Sequence, residues 1–211
     1  MRQGKSRAHF PRRGPSLLLT LTLAGLWLAG AGCASPSTSL TVTSLQDHQT
    51  YTPGFKQAYA SRDARGDMEV VAACGTRTAS GTMHPDLRQV MHIRVLWSPG
   101  PGLRTDQPAA TNAAITWYIF NDNRQDLVEY TGTGLVNIDR DGDRTTLEIR
   151  NASLRPSLTA GALRDPIGPS RFEGTVVARN DKRKVEEILT GVKATLAAAK
   201  LGQARADAQG Q

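Results

Sequence analysis

The chain has 211 residues, 39% of them hydrophobic, a length that allows one domain of ordinary size. Its formal net charge of +7 comes from 26 Lys and Arg against 19 Asp and Glu, but five of the basic residues and none of the acidic ones precede Cys33. The remaining charges nearly balance, and the net charge is too small to argue for a phosphate-binding surface of clustered Lys and Arg, so no nucleic-acid partner is predicted.

The first predicted element is an export signal. An apolar, uncharged run occupies Leu17–Cys33 and ends in small residues. The basic residues before it are Arg2, Lys5, Arg7, Arg12 and Arg13. The most apolar part, Leu17–Leu28, suits a signal h-region of about 7 to 15 residues, whereas a membrane span needs about 20. Residues 1–32 are therefore predicted to be a cleaved signal peptide, with an uncleaved N-terminal anchor as the alternative.

Two cleavage sites compete at the end of this leader. Ala29-Gly30-Ala31 satisfies the small-x-small rule, so an ordinary signal peptidase would cut after Ala31 and leave a soluble periplasmic or secreted protein. The ending Ala31-Gly32-Cys33 instead resembles the lipobox of bacterial lipoproteins, whose cysteine becomes the lipidated N-terminus. The pattern departs from that family at Gly30, where a leucine is preferred. The resemblance implies lipid attachment at Cys33 and a membrane-anchored location in the bacterial cell envelope.

The chain contains only two cysteines, Cys33 and Cys74, which excludes a disulfide-dense scaffold. If Cys33 is lipidated, Cys74 is predicted to be a buried, inert free thiol. If cleavage follows Ala31, a Cys33–Cys74 disulfide is the alternative.

Residues 33–56 are rich in Ser, Thr and Gln and predict a flexible tether that contributes at most one edge strand. Phe55 and Tyr59 are expected to pin this tether to a domain spanning 57–201. Strand-like runs follow at Met68–Cys74, Arg88–Trp97, Ile115–Phe120, Leu127–Ile138, Thr145–Ile149 and Arg171–Arg179. Gly132 and Gly134 indicate a bulge within one long strand, and Arg140–Asp143 indicates a hairpin turn.

Helical spacing of Val185, Ile188, Leu189, Val192 and Leu196 predicts one amphipathic helix over 182–200, capped by Asn180 or Asp181 and ended by Gly202. Residues 202–211 are predicted to be a disordered tail. The predicted fold is mainly β: an antiparallel β-sandwich, immunoglobulin-like or related, with one C-terminal α-helix. Two long loops, 98–112 and 156–170, connect its strands.

No catalytic motif, metal site or cofactor site is predicted. The chain has no G-x-S-x-G elbow, GxGxxG or P-loop, and its histidines are not spaced as metal ligands. Asp139–Asp143 resembles the start of an EF-hand loop, but the glycine and the final Glu are misplaced, so a turn is predicted. Trp97 is the one ligand-binding candidate, beside loop 98–112. It would otherwise share a buried strand face with Met91, Ile93 and Val95.

These observations favour a cell-envelope lipoprotein that acts as a non-enzymatic interaction or assembly module. Its predicted partners are the membrane, through the lipid anchor, and a protein or another envelope component. Two alternatives stay open: a secreted ligand-binding β-sandwich, and an envelope enzyme whose site is assembled from loops 98–112 and 156–170. Beyond the leader, the chain resembles uncharacterised bacterial exported proteins, a likeness that implies no particular activity.

Overall fold

The computed structural model describes residues 38–63, 66–74, 89–97, 111–120, 126–161 and 163–209. These residues form nine strands and one helix: β1 Ser39–Ser44, β2 Thr50–Tyr51, β3 Gln57–Arg62, β4 Met68–Cys74, β5 Gln89–Val95, β6 Ala113–Phe120, β7 Leu127–Asp141, β8 Arg144–Ala160, β9 Ser170–Asn180 and α1 Lys182–Gln209. The predicted signal peptide, Cys33 and residues 98–110 lie outside the described part of the chain.

All nine strands belong to one sheet, in the order β2-β1-β9-β3-β4-β5-β6-β7-β8. The mainly β fold with one C-terminal helix is thus confirmed, but the prediction of a purely antiparallel sheet is wrong. Tyr59 and Ala60 of β3 pair in parallel with Arg179 and Asn180 of β9. Strand β1 runs antiparallel to β9, and the chain reverses between β1 and β2. Strand β3 continues in the direction of β2, so it runs parallel to β9.

The sheet closes on itself because β9 pairs on both edges. One edge pairs with β8, and the other pairs with β1 at residues 170–175 and with β3 at residues 179–180. Strands β3 to β9 therefore form a closed ring, and β1 and β2 extend the sheet beside β9. This pairing does not confirm the immunoglobulin-like sandwich predicted from the sequence.

Alternating side chains build two hydrophobic clusters, one on each face of the sheet. The larger cluster, enclosed by the ring, includes Trp117, Tyr130 and Phe172. The smaller one lies between the outer face and α1. Strands β4 and β6 contribute to both clusters, which explains why their sequences are apolar at successive positions.

Strands β7 and β8 form one long hairpin, which confirms the predicted bulged strand and the Asp-Gly turn. Their pairing shifts register between Thr133 and Leu135, and Gly142 at the tip has a φ of 59°. A Cβ on Gly132 would lie 1.7 Å from the Ser153 carbonyl oxygen, so the strands can approach this closely only at a glycine.

The predicted loop 156–170 is wrong over residues 156–160, which are the last residues of β8. Pro156 pairs with Tyr130 where the register shifts, a position at which the missing proline N–H is tolerated. The connection to β9 is therefore only residues 161–169.

The predicted tether 33–56 is also wrong from Ser39 onward, because β1 and β2 are part of the sheet. Strand β1 lies between β2 and β9, so it is not an edge strand, and its Leu40 and Val42 are buried in the enclosed cluster. Phe55 and Tyr59 are buried as predicted, although on opposite faces of the sheet.

Helix α1 begins as predicted and ends later than predicted. The Asp181 carboxylate accepts a hydrogen bond from the Lys184 N–H at 3.1 Å, the geometry of an N-cap. Val185, Ile188 and Val192 pack on the sheet, with Leu189 and Leu196 beside them. The helix continues to Gln209, so the predicted disordered tail is wrong for 202–209. Gly202 does not adopt the positive φ of a helix-ending glycine.

Candidate functional site

Trp97, the ligand-binding candidate, lies just beyond the end of β5. The strand ends at Val95, so Trp97 does not join Met91 and Ile93 in the core and is 43% exposed. Its neighbour Leu96 is 50% exposed. The interpretation of Trp97 as a core residue is therefore wrong, and two adjacent apolar side chains face solvent at this end of the sheet.

The Asn112 side chain connects Trp97, the residue before loop 98–112, to Val136 of β7 by hydrogen bonds. Its buried amide donates to the Trp97 carbonyl at 3.0 Å and to the Val136 carbonyl at 2.9 Å, and accepts from the Val136 N–H at 2.7 Å. The Asn112 side chain thereby replaces a backbone partner of β7 just before β6 begins at Ala113. The position of Trp97 is set by this amide, which satisfies both polar groups of Val136.

An open cavity of about 370 Å³ lies at the same end of the sheet as Trp97. Three exposed basic residues line it: Arg62 from the end of β3, Arg140 from the end of β7 and Lys182 from the start of α1. Asp181 is the acidic residue in the lining. Within the lining, a hydrogen bond of 2.8 Å from the Thr145 hydroxyl to the Asn180 side-chain oxygen joins β8 to β9. No pattern in the sequence singled out these residues, because they come from three separate segments.

A second, larger groove of about 520 Å³ follows the bulge between Ile149 and Ala152. Arg150 donates to one Glu148 oxygen at 2.7 and 2.9 Å, and this hydrogen bonding lowers the pKa of Glu148. Asn151 has a φ of 51° there. The lining is polar, and besides the Glu148–Arg150 ion pair it carries the exposed Glu173, so acidic side chains outnumber basic ones in this groove.

Two titratable residues of the described segments, His92 and Cys74, have pKa values shifted by burial. Burial lowers the pKa of His92, opposed by Glu69 at 3.7 Å. Burial raises the pKa of the half-buried Cys74 thiol, which donates to the Gly54 carbonyl at 2.6 Å. No group of three metal-ligating side chains occurs among the described residues, and no described helix is long and apolar enough to cross a membrane.

Tyr130 links the core to the loop before β9. Its fully buried ring packs on Trp117, and its hydroxyl donates to Asp165, which also accepts the backbone N–H groups of Ile167 and Gly168. Burial, followed by this hydrogen bond, raises the pKa of Tyr130. Partial burial alone would raise the pKa of Asp165, but its three hydrogen bonds together lower it.

Tyr130→Phe is expected to lower the free energy of unfolding at neutral pH by about 1.5–3 kcal/mol, the contribution of one hydrogen bond to a charged group. Asp165 has a lowered pKa when folded, so its stabilising effect is present above its ordinary pKa of 3.8 and is lost as the pH falls through its lower folded value. The difference between wild type and variant, measured by urea unfolding, should therefore narrow below about pH 4. A difference that stays constant into acid would contradict this role of Asp165.

Comparison with protein-family models, curated proteins and solved structures found no match to this chain.

Proposed function

We propose that the protein is a cell-envelope lipoprotein, anchored by acyl chains on Cys33, whose domain binds another protein or envelope component and performs no catalysis. The leader carries this proposal: a basic start, a 12-residue apolar segment and small residues ending in Ala31-Gly32-Cys33. Several acyl chains on one cysteine would hold the domain stably at a membrane, since one chain alone binds only marginally. The proposal needs only the mainly β fold and its helix, and the immunoglobulin-like type stays a prediction.

The position of β1 supports an anchored domain that stays close to its membrane. The first strand of the described chain begins at Ser39, six residues after Cys33. Six residues span at most about 20 Å when fully extended. A domain tethered so closely can reach only partners at the membrane surface.

The exposed pair Leu96–Trp97 and the adjoining open cavity support binding rather than catalysis. Exposed apolar side chains beside polar groups are typical of interaction surfaces. The described part of the sheet brings no nucleophile and general base together there. Recognition of a partner is the activity that such a surface offers.

Metabolic labelling with a fatty acid tests the anchor. The wild-type chain is expected to incorporate label in a bacterial host, and Cys33→Ala to lose it entirely, because the acyl chains attach to that sulfur. Cys74→Ala is the matched control and should keep the label. An unlabelled wild type, or label that survives Cys33→Ala, would refute the lipoprotein assignment.

A further inference from the structure

Two exposed features lie together at one end of the ring of strands, which we call the anchor end. Val95, the residue before Leu96, pairs with Met68, and Met68 pairs with Arg62. Met68 and Arg62 both line the basic cavity. Because neighbouring strands are about 4.8 Å apart, Val95 lies roughly 10 Å from Arg62, and the exposed Leu96 and Trp97 follow within two residues.

The described chain also begins at the anchor end. The Thr38 hydroxyl accepts the Val177 N–H at 3.2 Å, and Val177 is three residues before Asn180, which lines the cavity. Three residues of strand cover about 10 Å. From Thr38, β1 runs away from this end, since Ser39 pairs with Thr175 and Ser44 with Ser170. Cys33 precedes Thr38 by five residues, which reach at most about 18 Å.

Basic side chains at the anchor end are concentrated in the lining of the cavity, where they could bind phosphate groups, and do not cover the whole face. Arg62, Arg140 and Lys182 outnumber Asp181 in the lining, and Lys182 also pairs with the exposed Glu186 at 3.7 Å. The Asp181 carboxylate is occupied by the Lys184 N–H and lies 3.8 Å from Arg179.

Other acidic groups stand close to this cavity. Asp141 and Asp143 lie at the tip of the β7–β8 hairpin, and Asp67 pairs with Arg94 at 3.1 Å. Electrostatic attraction to an anionic surface is thus confined to the cavity, and apolar insertion has to supply much of the binding.

We propose that the anchor end lies on the membrane surface, with Trp97 and Leu96 in the headgroup layer and the Arg62–Arg140–Lys182 cavity holding lipid phosphate. Indole rings favour this layer because one side is apolar and the N–H is polar. Basic residues near an anionic leaflet each contribute about fivefold in binding. This inference rests on the proposed lipid anchor, whose short reach brings that end to the bilayer.

The test uses the mature protein, which begins at Cys33 and therefore lacks Trp27, extracted from a bacterial host and reconstituted into phosphatidylethanolamine–phosphatidylglycerol vesicles that contain brominated lipid. Bromine quenches tryptophan that lies in the bilayer. Trp117 is only 2% exposed and serves as an internal reference. Fluorescence of the wild type is expected to fall, and Trp97→Phe should abolish the quenched component.

Substitution of the cavity residues tests the phosphate contacts. The triple variant Arg62→Gln, Arg140→Gln and Lys182→Gln should reduce quenching and remove its dependence on phosphatidylglycerol. The matched control replaces three exposed basic residues elsewhere, Arg155, Arg171 and Lys200, by Gln and should behave as wild type. Unquenched Trp97 in the acylated protein, or equal quenching in both triple variants, would overturn the inference.

Measuring the intact mass of the same protein preparation distinguishes a failure of this inference from a failure of the lipid-anchor proposal. If the measured mass includes acyl chains but Trp97 fluorescence is not quenched, the lipoprotein proposal holds and the proposed membrane contact is overturned. If acyl mass is absent, the anchor fails, and the same vesicles are added to the soluble protein. Quenching of Trp97 then supports the membrane contact without an anchor, and its absence overturns that contact too.

Discussion

Trp117→Ala is expected to lower the free energy of unfolding by about 3–5 kcal/mol, the usual cost of deleting a buried aromatic side chain. Trp117 is 2% exposed, and its ring centroid lies 5.5 Å from that of Tyr130 and 6.4 Å from that of Phe172. The alanine would leave a cavity in the centre of the enclosed cluster, where strands from the whole ring meet and cannot close in without breaking their pairing.

Trp97→Ala is the matched control for this experiment. The side chain is 43% exposed, so its removal should lower the free energy of unfolding by only about 1 kcal/mol, well below the loss expected at Trp117. Both values would be measured by urea unfolding followed by circular dichroism. Equal losses in the two variants would contradict the placement of Trp97 on the surface.

Gly132→Ala is the second substitution with a large expected effect, a loss of about 3 kcal/mol or more. The new Cβ would lie 1.7 Å from the carbonyl oxygen of Ser153 and 2.8 Å from its carbonyl carbon. Both atoms belong to the backbone of the paired strand, so no side-chain rotation can relieve the overlap. Strands β7 and β8 would have to separate at the bulge.

Gly191→Ala controls for the loss of glycine itself. Apart from its chain neighbours and the backbone of its own helix, no atom lies within 4 Å of the position of its Cβ, and the residue is in the interior of α1. Alanine should stabilise the protein there by about 0.5–1 kcal/mol, because glycine is a poor helix former. Thermal unfolding should place the two variants on opposite sides of the wild type. A Gly132→Ala protein as stable as wild type would show that the strands do not approach so closely.

Local patterns in the sequence were sufficient for most of the regular structure. Strand β4 has the predicted bounds Met68–Cys74, and the bulged strand, its Asp-Gly turn and the start of α1 were all predicted. Each of these depends on neighbours within a few residues: a period of two, a glycine at a positive φ, or a carboxylate that caps the first turn.

Predictions failed where a residue's partner is distant in the chain. The Ser- and Thr-rich composition of 33–56 favoured a tether, yet β1 pairs with β9, about 130 residues later. Leu40 and Val42 gain their burial from that pairing, and no local pattern records it. Trp97 continues the alternation of Met91 and Ile93, but it is exposed because β5 ends at Val95.

The amino-acid sequence was therefore enough for the mainly β class, the long bulged hairpin and the capped helix, since these follow from local composition, periodicity and turn chemistry, whereas the export signal stays a prediction. Closure of the sheet, the parallel pairing of β3 with β9 and the anchor-end cavity required the folded molecule. Arg62, Arg140 and Lys182 lie far apart in the chain and meet because three elements end at one opening of the ring. Their proximity follows from strand pairing over long sequence separations, which depends on how all the elements pack together.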